Sequence, residues 1–353
     1  MRPLISVIIP LYNGKQYIEK CLNSVLEQNY APLEVLVVDD ESKDFSADIV
    51  KEYARLKGVR VMNLGVAENM NKIAEDTAKV AKSEIIIKII TQKNQGQGAA
   101  RNTGISHSAG KYIMFIDQDD TLESGIIDKL IRLAETDKAD IASAGYRRVT
   151  TQGKIQQEVR LQQTEWSKYK VIAPWSKLYN TEFIRNNEIR FLPVKLGEDI
   201  YFLMQAYSYE PKVAFLSEIG YNWTNNEISV SNTEHKKIKS DTSLLVLFDM
   251  LETLKNKEVL KKDEYYEYFL LKTAIWDILY TARNNPYQEI IANTESIWGW
   301  FDKCFENYRV NKYISLCRPK GESPVIRIIV WGYMTIKKLK LEKLFLKLLA
   351  GFR

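Results

Sequence analysis

The sequence is poor in the residues that build disulfide frameworks and soft-metal sites. Its 353 residues include three cysteines and two histidines. Cys21, Cys304 and Cys317 lie far apart without a CxxC spacing, so we interpret them as reduced thiols of a cytosolic protein. With His107 and His235 as the only histidines, a His-rich zinc centre is excluded, and any metal must be held mainly by oxygen ligands.

Long apolar runs and secretory features are also lacking. No stretch reaches the roughly 18 uninterrupted apolar residues expected of a membrane-spanning helix. Residues 1–10 lead directly into a strand-like run, without the charged segment, long apolar segment and small-residue cleavage site of a signal peptide. The sequence therefore predicts no membrane span and a cytoplasmic location.

The overall charge is modest. The chain has a net charge of +5, with 27% charged and 45% hydrophobic residues. This composition is typical of a folded chain with a full core, and such a net charge does not imply a nucleic-acid partner. We therefore expect no nucleic acid among the partners, and the sequence leaves the oligomeric state open.

The first 150 residues alternate short apolar runs with helical patterns. The continuous apolar run at 4–10 is typical of a strand buried on both faces, and 34–39 predicts a second buried strand. Further strands are predicted at 59–63, 112–117 and 140–146. The segments between them repeat apolar residues at helical spacing. Strands separated by helices predict an α/β fold with a parallel sheet. The sequence leaves open how the further apolar run at 85–90 joins that sheet.

Strand signals fade towards the C-terminus. Residues 147–165 are polar and predict an exposed hairpin or loop, and a helix is expected from about 199 to 209. After residue 233 the pattern is helical to the end. We therefore predict a boundary near 235, between a domain of residues 1–234 and a helical extension of residues 235–353.

The most acidic cluster follows the apolar run that begins at Tyr112. Asp117, Asp119 and Asp120 place three carboxylates within four residues, and these repel each other unless a cation or hydrogen-bond donors neutralise them. A divalent ion does so and also bridges phosphate oxygens. A solvated turn with helix-capping aspartates is the structural alternative.

Two further clusters carry chemistry. Residues 94–102 combine glycines, which allow close backbone approach to a ligand, with a possible helix start and the fixed charge of Arg101. A flexible loop with a surface arginine is the alternative. Glu198 and Asp199 sit at a predicted helix start, where they suit either capping or the role of a general base that deprotonates an acceptor hydroxyl.

Five motifs occur together in a known order. They are SVIIPLYN at 6–13, VDDESKD at 38–44, NQGQGAARN at 94–102, FIDQDD at 115–120 and GED at 197–199. Over roughly residues 4–230 the sequence resembles the family 2 inverting glycosyltransferases of the GT-A fold, of the bacterial surface-polysaccharide type. The resemblance implies a Rossmann-like mixed sheet flanked by helices, with a nucleotide-sugar part at 1–120 and an acceptor part at 121–234.

The resemblance also implies roles at the nucleotide end of the site. Tyr12 would pack on the uracil of a UDP-sugar donor, Pro10 would shape that pocket, and Asp40 would accept from the uracil ring nitrogen. Asn94 and Arg101 would help to hold the nucleoside and the diphosphate.

At the reacting end, the resemblance implies that Asp117 lies near the ribose and that Asp119 binds Mn²⁺ or Mg²⁺. Asp199 matches the catalytic base of the family, with Glu198 beside it orienting the acceptor. The reaction would be a single displacement onto a saccharide or lipid-linked oligosaccharide.

Two segments depart from the family pattern. Residues 66–83 resemble an insertion of unknown role. In the stretch 221–229, Thr224 and Asn226 stand where the family often has arginines. This leaves two alternatives for neutralising the diphosphate, the metal alone or a lysine elsewhere.

The C-terminal segment 324–353 is basic and amphipathic. Its lysines at 340, 343 and 347 share one helical face, and Leu341, Leu344, Phe345, Leu348 and Leu349 form an apolar face. One interpretation is a helix at a membrane surface, which would make the protein peripheral on the inner face of the cell membrane. The other is a helix packed on the protein with its lysines solvated.

Two other functional classes remain open at this stage. One is a non-catalytic nucleotide-sugar-binding or scaffold protein on the same fold, which the intact Asp119 and Asp199 argue against. The other is a nucleotidyltransferase, whose usual Gly-rich basic loop after the first strand is missing from residues 11–15.

Overall fold

A computed structural model describes residues 2–66, 84–192, 194, 197–226, 244–256, 263–305 and 307–351. Its contacts divide the chain into two compact units. Unit 1 comprises Met1–Gln163, Val171–Ala206 and Glu210–Asn226, and unit 2 comprises Thr164–Lys170, Tyr207–Tyr209 and Glu227–Arg353. The predicted boundary near 235, the insertion after residue 66 and the end of the 221–229 stretch lie outside the described residues.

Unit 1 contains a single sheet in which ten strands are described. The strands are β1 (Ile5–Leu11), β2 (Leu33–Asp39), β3 (Arg60–Gly65), β4 (Ile85–Thr91), β5 (Tyr112–Phe115), β6 (Thr121–Leu122), β7 (Ile141–Thr150), β8 (Ile155–Val159), β9 (Lys177–Asn180) and β10 (Val213–Asn225). Their order is β3-β4-β2-β1-β5-β9-β7-β10-β6, and β8 pairs with β7 at the side.

The sheet is parallel in its first half and mixed in its second. The pairs β3–β4, β4–β2, β2–β1 and β1–β5 are parallel, whereas β9 runs antiparallel to both β5 and β7. The apolar run at 85–90, whose place the sequence left open, joins the sheet as β4 between β2 and β3. The polar segment after β7 forms the expected hairpin with β8. The predicted α/β fold with a mixed sheet is confirmed.

The helices of unit 1 cover a sheet that is buried on both faces. All seven residues of β1 and all seven of β2 are buried, which explains their uninterrupted apolar sequences. The helices are α1 (Ile18–Leu26), α2 (Ser46–Lys57), α3 (Gln97–His107), α4 (Ile126–Asp137), α5 (Thr181–Asn186) and α6 (Glu198–Ser208), whose last two residues belong to unit 2.

A buried ion pair joins the parallel strands β4 and β2. Lys88 on β4 donates to Glu34 on β2 at 2.6 Å, and both side chains are fully buried. Glu34 also accepts from the Ser6 hydroxyl at 2.5 Å and from the backbone N–H of Ala109 at 2.6 Å. The Gly110 N–H adds a further bond at 3.2 Å. These donors compensate the charge of a carboxylate that has no access to water.

The described part of unit 2 is helical, as expected for the C-terminal extension. Its helices are α7 (Leu244–Asn256), α8 (Glu264–Thr281), α9 (Tyr287–Cys304), α10 (Pro324–Lys338) and α11 (Glu342–Gly351). Aromatic rings fill much of its interior, including Phe248 stacked on Trp300 with centroids 4.2 Å apart. Among the residues placed by the structure, none of the helices has the length and apolarity needed to cross a bilayer.

Candidate active site

The carboxyl ends of the parallel strands bring the sequence motifs together. Because β4, β2 and β1 are paired in register, Thr91, Asp39 and Leu11 lie side by side at one edge of the sheet. The bonds continue one residue further: the Asp40 N–H donates to the Leu11 carbonyl at 2.8 Å and the Gln92 N–H to that of Asp39 at 2.9 Å. This edge is where open parallel sheets bind their ligands.

Asp40 holds the loop that precedes α3. It is buried, and one of its carboxylate oxygens accepts from the Gln92 side-chain amide at 2.8 Å and from the Gln95 N–H at 3.0 Å. The other oxygen accepts from the Gly96 N–H at 2.8 Å. Asp40 therefore ties β2 to the loop, and its predicted bond to a uracil nitrogen would use the remaining acceptor capacity of these oxygens.

Tyr12 leaves β1 with its ring open to solvent. The side chain is 48% exposed, while Pro10, two residues earlier, is buried in the strand. Its backbone is fixed by Gln118, whose side chain accepts from the Tyr12 N–H at 2.8 Å and donates to the Tyr12 carbonyl at 3.0 Å. An aromatic face presented in this way suits stacking on a planar base.

The glycines of the 94–102 motif allow a particular backbone conformation and a close packing contact. Gly96 precedes α3 with a positive φ of 87°, a conformation that side chains disfavour. A Cβ at Gly98 would lie 2.6 Å from the Leu192 carbonyl oxygen, so glycine is required for α3 to approach the segment before α6. Asn94 is exposed in the loop, and its N–H lies 3.4 Å from a Glu41 carboxylate oxygen.

Arg101 is the centre of the site. Its guanidinium is fully buried and donates to Asp117 from one Nη and to Asp199 from the other, at 2.7 Å in each case. Glu198 lies 3.6 Å away. These three carboxylates raise the pKa of Arg101 against the effect of burial, so the arginine stays charged. Both of its Nη groups are committed to carboxylates, and direct binding of a diphosphate by Arg101 stays a prediction.

The acidic cluster after β5 divides into members with different surroundings. Asp120 is buried and accepts from the Tyr221 hydroxyl at 2.7 Å and from the Thr224 N–H at 2.7 Å. The same Tyr221 hydroxyl accepts from the Asp117 N–H at 3.1 Å. Asp120 thus joins the cluster to β10 and is structural, whereas the Asp117 carboxylate turns to Arg101.

Asp119 is the remaining carboxylate of this cluster and the candidate ligand of a metal ion. Burial raises its pKa to about 6, the charge of Asp117 adds to that rise, and a hydrogen bond from Asn226 opposes it. No group of three or more acidic, His or Cys side chains able to hold a metal is found within the ranges that the structure covers. The buried Asp119 carboxylate, beside the charge of Asp117, favours a nearby positive charge. It fits the role of a single protein ligand to a hard divalent ion whose other ligands come from phosphate and water, as is common for Mg²⁺.

Glu198 and Asp199 open α6, and their surroundings differ. Glu198 is almost fully buried and accepts from the Gln97 side chain. Burial, together with the charge of Asp199, raises the pKa of Glu198 to about 8. Asp199 has a side chain 29% exposed and a much closer contact with Arg101. Burial raises its pKa, but the guanidinium opposes that rise. The guanidinium therefore favours the charged form of Asp199, at 2.7 Å, more than that of Glu198, at 3.6 Å.

A buried lysine completes this side of the site. Lys177 on β9 donates to the carbonyls of Val171 at 2.6 Å and Ala173 at 2.7 Å. Burial lowers its pKa to about 7, and the charge of Asp199 opposes that fall. Nearby, the ring of Trp175 stacks on Tyr221 with centroids 4.5 Å apart and is largely buried. These residues of the 173–179 stretch act chiefly in packing and loop fixation.

Several residues of the site escaped the sequence analysis as functional candidates. Gln92, Gln97, Gln118 and Tyr221 each bond a predicted site residue through their side chains. Two of them could have been found, because Gln97 and Gln118 lie inside the motifs at 94–102 and 115–120. Gln92 and Tyr221 lie outside the interpreted parts of the motifs, and only the sheet pairing brings them to the site.

Comparisons with known proteins point to glycosyltransferases. A family model described as glycosyl transferase family 2 matches residues 6–77 and 65–195. Glycosyltransferase GlyA of Streptococcus pneumoniae serotype 4 is 29% identical over 66% of this chain and 32% of its own length. The uncharacterized glycosyltransferase EpsJ of Bacillus subtilis is 28% identical over 67% of this chain and 65% of its own length. The chain thus spans about a third to two thirds of these relatives.

Solved structures share the architecture at low identity. TarS 1-349 of S. aureus, in complex with UDP-GlcNAc, has a TM-score of 0.64 and 19% identity, covering 96% of this chain and 89% of that one. The mannosyltransferase PcManGT from Pyrobaculum calidifontis, in complex with GDP-Man and Mn²⁺, has a TM-score of 0.51 and 13% identity, covering 99% and 86%. At such identities the likeness shows the fold, and it confirms the predicted GT-A architecture.

Proposed function

The chain belongs to glycosyl transferase family 2, and from that premise we propose that it transfers a sugar from a UDP-sugar to a hydroxyl acceptor with inversion and with help from a divalent metal. The observation that carries the proposal is the buried Arg101, which holds Asp117 and Asp199 at 2.7 Å each. The Arg101 guanidinium thereby fixes two carboxylates in a single cleft. Asp117 belongs to the donor side, and Asp199 is suited to proton transfer.

Asp199 is the proposed general base. It carries the negative charge of its pair, is partly open to solvent and is held in one orientation by Arg101. A carboxylate in this position accepts the proton of the acceptor hydroxyl as the new bond to the anomeric carbon forms. Glu198, which keeps its proton at neutral pH, has a carboxyl group able to donate a hydrogen bond to the acceptor and so to orient it.

The nucleotide end of the proposal involves Tyr12, Asp40, Asn94 and Asp117, with Pro10 beneath them in β1. The half-exposed ring of Tyr12 supports stacking on the base. Asp40 supports recognition of a ring N–H, since its carboxylate has acceptor capacity beyond the three bonds it makes to the loop. A ring N–H and a planar face are features of uracil, and this combination is the basis for proposing a UDP-sugar.

Asp119 is the proposed protein ligand of Mn²⁺ or Mg²⁺. When bound, the ion would supply positive charge beside the leaving diphosphate. Arg101 contributes to the same side of the site by neutralising the neighbouring Asp117 carboxylate, so that Asp119 would be the carboxylate that holds the ion.

The proposed reaction is a single displacement, in which Asp199 acts as a base towards the acceptor hydroxyl. The acceptor oxygen forms the new bond to the anomeric carbon while the bond to the diphosphate oxygen breaks. The proton of the acceptor passes to Asp199, and the electron pair leaves with the nucleoside diphosphate. One displacement inverts the anomeric configuration, and no covalent sugar–enzyme intermediate is involved.

The proposed acceptor is a saccharide or a lipid-linked oligosaccharide. A lipid-linked acceptor is supported by segment 324–353, for which we propose contact with a membrane surface. In α10 and α11, which cover most of this segment, several large apolar side chains are exposed, among them Trp331 and Leu344. This exposure favours the membrane interpretation over a helix with its apolar face packed on the protein.

The decisive experiment incubates the full chain with a panel of UDP-, GDP- and CDP-sugars, Mn²⁺ and saccharide acceptors. Release of nucleoside diphosphate with an acceptor product of inverted anomeric configuration, read by NMR, is the expected result. Competition among UDP, GDP and CDP tests base selection, and Tyr12→Ala should weaken UDP binding more than Tyr12→Phe. Efficient displacement of UDP by GDP would contradict the uracil assignment, and sugar binding without turnover would favour a scaffold.

A further inference from the structure

The C-terminal hairpin, defined as α10, the turn at 339–341 and α11, has an unusual arrangement of side chains. On α10 the buried residues are Val330, Tyr333 and Met334, and on α11 the buried residue is Leu346. The opposite face of α10 is also apolar. Its exposed side chains at successive helical positions are Val325, Ile328, Ile329 and Trp331.

The turn and the second helix also expose apolar side chains. Leu341, Leu344 and Leu348 follow at spacings of three and four residues and are each about half exposed, at 47–56%. The sequence pattern placed leucines and lysines of this segment on separate faces. In the structure Leu344, Leu348 and Lys347 are exposed together, so the two sets border each other rather than lie on opposite sides.

The hairpin carries mostly positive charge. Between residues 324 and 351 there are six basic residues and a single acid, Glu342. That acid turns inward, where it accepts from the Trp298 indole N–H at 2.8 Å and from the Tyr333 hydroxyl at 2.7 Å. Lys337 lies 3.4 Å from its other oxygen. The sole carboxylate is thus used to fix the hairpin to α9.

Three other lysines of the hairpin are exposed. Lys338 ends α10, Lys340 lies in the turn and Lys347 is on α11, and all three are exposed. Lys343 differs, because it pairs with Glu295 of α9 at 2.7 Å. The described hairpin thus exposes apolar side chains and lysines but no outward carboxylate. This combination is complementary to a surface that has anionic headgroups over an apolar layer.

We infer that the outward face of this hairpin, centred on Ile328, Trp331 and Leu344, inserts into the interface of an anionic phospholipid bilayer while Lys338, Lys340 and Lys347 contact the lipid phosphates. This deepens the membrane contact of the proposed function by naming both helices, their orientation and the lipid charge. Tryptophan and leucine partition into the interface, and lysine stems reach from there to the headgroups.

The test is flotation of the full chain with vesicles of phosphatidylcholine alone or of an equal mixture of phosphatidylcholine and phosphatidylglycerol. We expect binding to the mixed vesicles that weakens as salt rises, and little binding to the neutral ones. Lys338→Gln/Lys340→Gln/Lys347→Gln should reduce binding to the mixed vesicles roughly 100-fold at low salt, equivalent to about 1 kcal/mol for each lysine.

The apolar contribution is tested by Ile328→Ser/Trp331→Ser/Leu344→Ser, which should reduce binding at least about 100-fold. Matched controls carry the same changes on exposed residues of unit 1. They are Lys51→Gln/Lys57→Gln/Lys154→Gln for charge and Leu56→Ser/Ile155→Ser for apolar area, and both should bind like the unmodified chain. Circular dichroism verifies that each variant is folded.

Two outcomes would overturn the inference. Equal binding to neutral and mixed vesicles would remove the role of lipid charge. Concentration-dependent self-association that disappears in the Trp331 variant, without vesicle binding, would make the face an interface between copies of this chain. Vesicle binding is read without donor or acceptor, and transfer to a water-soluble acceptor is read without vesicles. Failure of the lipid contact and failure of the proposed transfer are therefore observed separately.

Discussion

The Arg101 guanidinium donates to Asp199 at 2.7 Å while its other arm donates at the same distance to Asp117. The two carboxylates come from different parts of the chain, one after β5 and one at the start of α6. Arg101 itself lies on α3 and is fully buried. The relative placement of the proposed base and of the donor-side carboxylate is therefore set by one planar cation.

We expect Arg101→Lys to impair turnover even though it keeps the positive charge. Lysine is a point charge and lacks the rigid fork that spans two carboxylates, so at least one of them loses its partner. Arg101 lowers the pKa of Asp199, and a weaker contact should let that pKa rise. The acid limb of the kcat profile should therefore move to higher pH. The measurement is kcat from nucleoside diphosphate release over a pH series.

The matched control is Arg147→Lys. Arg147 also joins two carboxylates, with its Nη1 3.1 Å from Glu123 and its Nε 3.3 Å from Glu158. This variant should lose some stability without moving the pH profile. An Arg101→Lys enzyme with unchanged kcat and pH profile would show that the guanidinium only fills space.

Glu198→Gln should be nearly silent in activity at pH 7 and should change the pH dependence of stability. Glu198 has its pKa raised from 4.5 to about 8 in the folded chain. Between these values the unfolded state releases a proton that the folded state keeps, so the native protein loses stability as pH rises towards 8. Glutamine resembles the protonated acid at every pH. The variant should therefore gain stability relative to the unmodified chain over this range.

Urea denaturation at several pH values measures this difference. The gain should be small near pH 4.5 and largest near pH 8, with the activity at pH 7 within a few-fold of the unmodified enzyme. A difference in stability that does not vary with pH would mean that Glu198 is ionised in the native state. The assignment of the charge of the pair to Asp199 alone would then be wrong.

The strand ends were accessible to prediction because they depend on local pattern. Buried apolar runs identify β1, β2 and β5, and parallel pairing carries the residues after them to one edge of the sheet. Tyr12, Asp40 and Asp117 could therefore be expected near each other. The three bonds that tie Asp40 to the 92–96 loop were not predictable, since nothing in the sequence shows which oxygen meets which amide.

The Arg101 bridge needed tertiary information. Asp199 is 98 residues from Arg101, and their contact depends on the approach of α3 to Leu192 and Glu198 that Gly98 permits. The sequence shows that Arg101 is charged, but it does not show which carboxylates this side chain contacts. The orientation of the C-terminal hairpin could not be predicted for a related reason. Helical periodicity identifies an apolar face at 341–349 but does not show which side turns to solvent, and the outward apolar face of α10 was missed.

Lys88→Met should destabilise unit 1 by about 3–5 kcal/mol, because it leaves the charge of Glu34 buried without its partner. The pair is fully buried, at 2.6 Å. The double variant Glu34→Gln/Lys88→Met should recover much of the loss, since glutamine is neutral and its oxygen can still accept from the Ser6 hydroxyl. Urea denaturation measures both variants. Equal losses in the single and double variants would show that packing, and not charge, dominates at Lys88.

Asp119→Asn should remove most of the metal-linked affinity for UDP. Calorimetry with Mn²⁺ and then with a chelator gives that linked affinity for the unmodified chain, which should bind UDP more weakly once the metal is withdrawn. The control is Asp120→Asn. Its carboxylate is occupied by the Tyr221 hydroxyl and the Thr224 N–H, so this change should lower stability while the effect of the chelator persists. Equal UDP affinity with and without metal in the unmodified chain would remove the metal from the proposal.

Asp199→Asn should separate donor binding from transfer. Asparagine keeps the size of the side chain and an oxygen that can accept from Arg101, but it cannot take a proton at neutral pH. UDP affinity should therefore stay within a few-fold, while the transfer rate falls by roughly 10²–10⁴. A structural role predicts a different result, because Asn caps helices as well as Asp and would be tolerated with little loss of rate. If Asp199→Asn stayed active and Glu198→Gln did not, the two roles would have to be exchanged. If both variants stayed active, the base would be a residue other than these two.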